Sequence, residues 1–245
     1  MRFLFSKELE MIYYFSGTGN SHYVAEVLSK SLQDTIQSIE SAQRIQQDEI
    51  IGIVTPVYFF GLPDIVKDFL ERLTVSSQTY FYLVVTYGGK PGNIGKQANK
   101  IMQKKGTGFY AMYGVRMVDT YIPMYDASKN EKIESHIDTQ IEEIITTIKE
   151  RRIGDYLKGT VPALINKACS FQYNQVRKTD NLTIKDTCIH CGLCAKECPE
   201  QAIEIKEHVT FRKEQCMMCL RCLHHCPVNA IQFKHKDKGQ YRGLL

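Results

Sequence analysis

Two rhythms alternate through the first 154 residues of the chain. Short apolar runs at Met11–Phe15, Ile50–Val54 and Tyr80–Thr86 have the length and near-continuous hydrophobicity of strands buried on both faces. Between them stand segments with apolar side chains three or four residues apart. Asn20–Leu32 carries Val24, Val27, Leu28 and Leu32, and Leu62–Leu73 carries Ile65, Val66, Phe69, Leu70 and Leu73. Asn93–Lys105 carries Ile94, Ala98, Ile101 and Met102, so each of the three predicts a helix with one buried face. Thr35–Ile39 reads as an edge strand and Phe109–Val118 as a further strand. Isoleucine at 133, 137, 141, 144, 145 and 148 predicts one long helix over Asn130–Arg152. Strand and helix in this order imply an α/β fold, a parallel sheet covered by helices on both faces.

The rhythm stops at residue 155. Residues 155–182 show no clear period but contain Tyr156, Leu157, Val161, Leu164, Ile165, Phe171, Tyr173 and Val176. A connector of that composition is expected to pack against something, with partly helical structure. The reading is therefore three parts: a domain at 1–154, a connector at 155–182 and a small domain at 183–245. Cysteine usage divides the chain at nearly the same place. Cys169 stands alone, and the other eight cysteines lie between Cys188 and Cys226. Disulfide-stapled secreted proteins do not cluster cysteine in this way. The small domain cannot build a large core, so its cysteines are expected to act as staples through metal.

Charge changes the picture little. A formal net charge of +4 over 245 residues gives no case for a nucleic-acid partner or an anionic membrane. The longest apolar stretch, Ile50–Pro63, is interrupted by Gly and Pro and falls short of the ~20 residues of a membrane span. Lys7, Glu8 and Glu10 break up the first ten residues before a signal-peptide core can form, which points to a cytoplasmic protein. Residues 1–10 precede a second Met, Met11, and read as an extension or an alternative start.

The cysteines form a duplicated unit: Cys188-x2-Cys191-x2-Cys194-x3-Cys198-Pro199 and Cys216-x2-Cys219-x2-Cys222-x3-Cys226-Pro227. Cys216 follows Cys188 by 28 positions, and Cys226 follows Cys198 by the same 28. Three cysteines at this stride let one loop wrap a cube-shaped cluster with backbone amides toward its sulfurs. Zinc modules have no use for the third cysteine or the Cys-Pro pair. At every ligand position the unit resembles the bacterial two-cluster ferredoxins. That resemblance implies two [4Fe–4S] clusters with crossed ligands: Cys188, Cys191, Cys194 and Cys226 on one, Cys216, Cys219, Cys222 and Cys198 on the other. Gly192 suits a tight cluster loop, and its counterpart Leu220 suits it less.

Directly after the first strand stands Ser16-Gly17-Thr18-Gly19-Asn20-Ser21, opening a helix. Hydroxyls and free amides at a helix N-terminus favour a phosphate. Three readings compete. A kinase-type P-loop would need G-x4-G-K-[ST], which is absent. A dinucleotide fingerprint would need glycine where His22 stands, although Glu40 lies where a ribose-binding acid belongs. The third is flavodoxin, which the chain resembles over 11–150. Two later loops match as well: one contains Pro56, Val57, Tyr58, Phe59, Phe60 and Gly61, the other Thr86, Tyr87, Gly88 and Gly89. In a doubly wound sheet both lie beside the phosphate loop, in the crevice where ligands bind. The resemblance implies FMN, with Tyr58, Phe59 and Tyr87 flanking its ring and Gly61, Gly88 and Gly89 admitting backbone amides.

The whole chain resembles the flavodoxin–ferredoxin fusions of anaerobic bacteria, a group that Tyr121-Ile122-Pro123 also matches. The implied fold is a flavodoxin-like doubly wound parallel sheet plus a small α+β two-cluster ferredoxin-like domain. Such a chain would pass single electrons between clusters and flavin and dock to redox partner proteins. The alternative is a flavin-dependent reductase of a small organic substrate, although the sequence names no acid or base for it. Cys169 reads as a buried or idle thiol, His22 as a surface or packing residue, and His224 and His225 as hydrogen-bonding groups inside the cluster loop.

Overall fold

The computed structural model describes residues 10–42, 49–122, 124–177, 181–212, 214–234 and 239–244. Residues 1–9 of the 1–10 extension and Pro123 lie outside them. Six parallel strands form one sheet in the order β2-β1-β3-β4-β5-β6. They are β1 (Met11–Tyr14), β2 (Thr35–Ser38), β3 (Ile50–Pro56), β4 (Tyr80–Tyr87), β5 (Ala111–Arg116) and β6 (Gly154–Asp155). The chain runs outward from β1 in both directions, which is the doubly wound α/β topology. The C-terminal ends of β1 and β3 therefore meet at a switch point.

Helices α1 (Asn20–Leu32), α2 (Asp64–Arg72) and α3 (Ile94–Gln103) follow β1, β3 and β4. Two cores result, one on each face of the sheet. Phe15, Ile53, Phe69, Phe81, Leu83 and Met102 occupy one, and Ile12, Val24, Leu28, Tyr82, Val115 and Ile141 the other. Strand residues alternate between them, as the period of two requires.

The isoleucine repeat does not make one helix. It makes α4 (Asn130–Glu134) and α5 (Ile137–Lys149), broken at Ser135 and His136. Ser135 Oγ and His136 Nδ1 both bond the Lys132 carbonyl, at 3.1 and 3.0 Å. A continuing helix would give that carbonyl to the His136 amide, so local side chains win the acceptor. The amide bonds Ile133 instead. The break also redirects the stripe: Ile137, Ile141, Ile144, Ile145 and Ile148 face the sheet, while Ile133 packs elsewhere.

The connector adds β6, whose two residues are too few to show a period, and α6 (Ala163–Val176). Only part of it packs as the sequence led us to expect. Leu157 packs against the sheet core and Tyr173 is buried, but Leu164, Ile165 and Phe171 are exposed. Among the described residues no helix is long and apolar enough to cross a membrane.

The C-terminal part is built from two two-stranded antiparallel sheets. One pairs β7 (Leu182–Ile184) with β10 (Ile231–Phe233), the other β8 (Ile203–Ile205) with β9 (Val209–Phe211). The cysteine loops lead into short helices α7 (Leu193–Lys196) and α8 (Arg221–His225). The duplication extends to backbone dihedrals. Positive φ recurs at His190 and Met218 (50° and 56°), at Gly192 and Leu220 (81° and 60°), and at Gln201 and Asn229 (both 49°). Leu220 thus accepts the left-handed conformation that Gly192 adopts freely, a strain of about 1–2 kcal/mol. Its burial at the interface with the sheet domain offsets that strain.

The two parts are not merely tethered. A third core joins Val118, Ile122 and Tyr125 from the sheet domain to Tyr173 of α6 and to Met218, Leu220, Leu223, Phe233 and Tyr241. Met217 reaches further, into the core of the sheet domain itself.

Candidate functional site

A cleft of about 390 Å³ opens at the C-terminal ends of β1, β3, β4 and β5. Of the loop after β1, Ser16, Gly17, Thr18, Asn20 and Ser21 line it. So do Pro56, Val57, Tyr58, Phe59 and Phe60 after β3, and Thr86, Tyr87, Gly88 and Gly89 after β4. Two expected residues do not line it. Gly19 serves the turn, preceding α1 with φ 99°, which only glycine adopts readily. Gly61 closes a two-residue hairpin with Tyr58, each amide donating to the other's carbonyl at 2.9 Å. Phe59 and Phe60 fill that turn with φ of 48° and 64°, normally the place of Asn and Gly. Backbone strain of this kind gathers at binding sites, and here it sets the Phe59 ring in the cleft wall, 5.2 Å from the ring of Tyr173.

Hydroxyls of the first loop are pinned by its neighbours. Ser21 Oγ lies 2.7 Å from Thr86 Oγ1, and Thr18 Oγ1 lies 3.0 Å from Thr120 Oγ1. Ser16 Oγ accepts the Gly19 amide at 3.1 Å, and Asn20 Nδ2 donates to the Val118 carbonyl at 2.9 Å. Each hydroxyl keeps capacity for a further bond. Asn20 Oδ1, buried at the cleft wall, has no hydrogen-bond partner among the described residues. The amides of the first turn of α1 have no intrahelical acceptor. An oxyanion with several acceptors, such as a phosphate, fits this donor set. We expect Thr18→Ala and Ser21→Ala together to weaken FMN binding about 10- to 100-fold without loss of iron, as measured by fluorescence titration.

Several cleft residues lie outside the three loops expected to form it. Val118, Asp119, Thr120 and Tyr121 follow β5, Cys169 and Gln172 come from α6, and Met218, Cys219 and Leu220 come from the second cysteine loop. Cys169 is thus half-buried at the cleft and is not a core thiol. Asp119 packs against Gly88, and burial pushes its carboxyl above the usual range. Its position directly after a central strand, at the C-terminal edge of the sheet, was the one available clue.

The cysteines gather around two further hollows. Cys198, Cys216, Cys219 and Cys222 line one, and Cys188, Cys191, Cys194 and Cys226 line the other. Thus the fourth cysteine of each motif sits with the three of the other. The amides of Ala202 and Ala230 donate to Cys198 Sγ and Cys226 Sγ, both at 3.2 Å. Burial pushes the Cys219 thiol up to about 12 and the Cys222 thiol well above its ordinary value. Such sulfurs become thiolates only where iron or another cation supplies compensating charge. Among the described residues, no three His, Cys, Asp or Glu side chains come close enough to hold a single metal ion.

The histidines act as struts. His224, fully buried, bonds the Thr120 carbonyl through Nε2 at 2.8 Å and accepts the Tyr241 amide at Nδ1 at 3.0 Å. That pattern needs the neutral ring, and burial lowers its pKa to about 4. His225 pairs with Glu197 at 2.7 Å. His22 stacks on Tyr14 at 4.8 Å, as a packing residue should. Glu40 is engaged by the Arg221 guanidinium at 2.5 and 2.9 Å. The carboxylate that a dinucleotide ribose would need is therefore taken.

Residues 11–142 match the family model described as a flavodoxin domain, and residues 187–230 match that of a 4Fe-4S dicluster domain. Three solved structures illustrate the likeness. A flavodoxin from Streptococcus pneumonia TIGR4 is 16% identical over 57% of this chain and 99% of its own, with a TM-score of 0.38. Rubredoxin oxygen:oxidoreductase from the anaerobe Desulfovibrio gigas is 14% identical over 58% and 36%, with a TM-score of 0.38. An azoreductase from Bacillus anthracis str. Sterne is 10% identical over 58% and 99%, with a TM-score of 0.40. No curated protein matches the chain. A doubly wound sheet with its crevice at the β1/β3 switch point, matched to the flavodoxin model over more than half the chain and followed by a cysteine-rich module, settles the family. The chain belongs to the flavodoxin domain family, joined to a 4Fe-4S dicluster domain as an iron–sulfur flavoprotein of electron transfer.

Proposed function

We propose that this protein passes single electrons between two [4Fe–4S] clusters and one FMN within the same chain. FMN exchanges electrons singly or in pairs and each cluster one at a time, so the combination converts one kind of traffic into the other. The observation that carries the reading is Cys219. It lines both the second cysteine hollow and the cleft, so one residue borders both proposed cofactor sites. Tunnelling falls steeply with distance, and a shared wall keeps the distance short. The other hollow is on the outside: Cys191 and Ile189 are exposed, whereas Cys219's neighbour Met217 is buried. We assign residues 188–226 to the clusters by the crossed scheme, and the loops after β1, β3 and β4 to FMN. The proposed units are 1–154, 155–182 and 183–245, with redox proteins as partners at the exposed cluster.

Anaerobic protein should hold about eight iron, eight sulfide and one FMN per chain. In stopped-flow reduction by a one-electron donor, flavin reduction should follow cluster reduction at a rate independent of protein concentration. A rate that rises with concentration would mean transfer between chains, and no transfer at all would defeat the converter.

A second reading, reduction of a small organic substrate, has one observation in its favour. Asp119 brings a carboxyl to the cleft, and burial raises its pKa above the ordinary carboxylate value, the direction that favours proton delivery. Oxidation of reduced protein by small organic oxidants should then slow at least about tenfold in Asp119→Asn, while oxidation by protein acceptors should not. Equal rates in both assays would leave the carrier alone.

A further inference from the structure

The loop expected to hold the FMN phosphate is itself held from behind by the cluster domain. Arg221 stands between two cysteines of the second hollow and borders that hollow, not the cleft. Its guanidinium donates to the Ser16 carbonyl at 2.6 Å and the Gly17 carbonyl at 3.4 Å. It also donates to both Glu40 oxygens and to the Glu197 carbonyl at 2.8 Å. The side chain is largely buried and lies over the Phe15 ring at 5.9 Å.

A trans peptide points its C=O and the next N–H in opposite directions. Drawing the Ser16 and Gly17 carbonyls toward Arg221 turns the Gly17 and Thr18 amides the other way, to the side of the loop on which the cleft lies. No Lys or Arg belongs to the loop itself, so its grip on an anion depends on where these amides point. Glu40 fixes the planar fork that makes this possible, a geometry lysine cannot reproduce. Meanwhile Cys219 and Cys222, on either side of Arg221 in sequence, are fastened only when their cluster is in place.

We propose that Arg221 is a positioning residue for the FMN phosphate loop, and that through it assembly of the Cys216–Cys222 cluster and binding of FMN strengthen each other. The proposal rests on the functional reading above, since it takes the loop as the phosphate site and the hollow as a cluster site. Coupling of this kind is reciprocal: the cluster raises FMN affinity by the factor by which FMN stabilises the cluster. The Cys188 cluster has no such link, because the counterpart of Arg221 in the first repeat is Leu193.

The test uses the full anaerobic chain and three variants, Arg221→Met, Arg221→Lys and Glu40→Gln, with FMN and FMN lacking its phosphate (riboflavin) as probes. Arg221→Met should weaken FMN roughly 10- to 100-fold and Glu40→Gln about 3- to 10-fold, with riboflavin affinity changed less than twofold. Arg221→Lys should not restore FMN affinity. Saturating FMN should slow chelator-driven iron loss from the Cys216 cluster in wild type, not from the Cys188 cluster, and the protection should vanish in Arg221→Met and Glu40→Gln. If Arg221→Met fails to assemble its clusters, Glu40→Gln, which lies outside the cysteine loops, decides alone. FMN affinity within twofold of wild type, equal losses for FMN and riboflavin, or protection unchanged in Glu40→Gln would overturn the proposal. Wild type that binds clusters but neither flavin would instead overturn the functional reading beneath it.

Discussion

Cys198→Ala should remove the cluster proposed next to the cleft and leave the one built by its own sequence neighbours. Cys198 belongs to the first motif, yet its sulfur lines the hollow of Cys216, Cys219 and Cys222. Iron should fall from about eight to about four per chain. EPR of the reduced variant should retain the signal of a lone cluster, held by Cys188, Cys191, Cys194 and Cys226. Without the cluster at the shared Cys219 wall, donors that enter through the outer cluster should no longer reduce the flavin on the stopped-flow time scale. Cys226→Ala should do the converse, losing the outer cluster while the inner one still exchanges with flavin. Retention of the Cys216 cluster in Cys198→Ala, with loss of the other, would contradict the crossed assignment.

Gly17→Val should be the most damaging single change on the flavin side. A Cβ at Gly17 would come within 2.6 Å of the Tyr58 hydroxyl, 2.9 Å of the Cys219 carbonyl and 3.3 Å of Cys219 Cβ. Two of those three atoms are on the cluster loop, so the phosphate loop and the cluster loop must separate to admit a side chain. Neither side yields cheaply: Tyr58 is packed against Phe15 in the sheet core, and Cys219 is itself packed against that core and would be held further by the cluster proposed for it. Overpacking at such contacts is worth about 1–3 kcal/mol or more, and displaced loop amides lose part of the phosphate's bonds besides. FMN affinity should drop at least about 100-fold, and flavin reduction by the clusters should slow even with FMN forced on at high concentration. Gly19→Ala offers a contrast, since the nearest atom to its Cβ is 3.7 Å away. Its cost comes from φ 99° alone and should be smaller. Equal FMN affinity in wild type and Gly17→Val, by fluorescence titration, would remove the case for loop-to-loop contact.

Most of the fold was legible because its signals are local. A buried parallel strand must be apolar throughout, so Ile50–Val54 and Tyr80–Thr86 announced themselves, and the period of Asn20–Leu32 matched α1 at both ends. The cysteine spacing carried its own geometry, because a loop that wraps a cube leaves little freedom in stride. What failed locally failed for a physical reason. The Asn130–Arg152 stripe hid a break made by two side chains competing for one carbonyl, and β6 was too short to have a pattern. The cleft was half legible. Loops after β1, β3 and β4 could be placed beside one another by topology alone, whereas Asp119, Cys169 and Gln172 enter from elements whose orientation the sequence does not encode.

The sequence by itself determined the class of the sheet, the cysteine module and the loops at the switch point, since each depends on residues within one turn, one strand or one loop. Only the tertiary structure decided how the halves meet. Leu220, Met217 and Arg221 look unremarkable in the chain. Their burial against Val118, the sheet core and the Ser16–Gly17 carbonyls arises from packing between segments about 100 to 200 residues apart. Such long-range contacts are selected by shape and by satisfaction of buried polar groups, and those are properties of surfaces that exist only once both parts have folded.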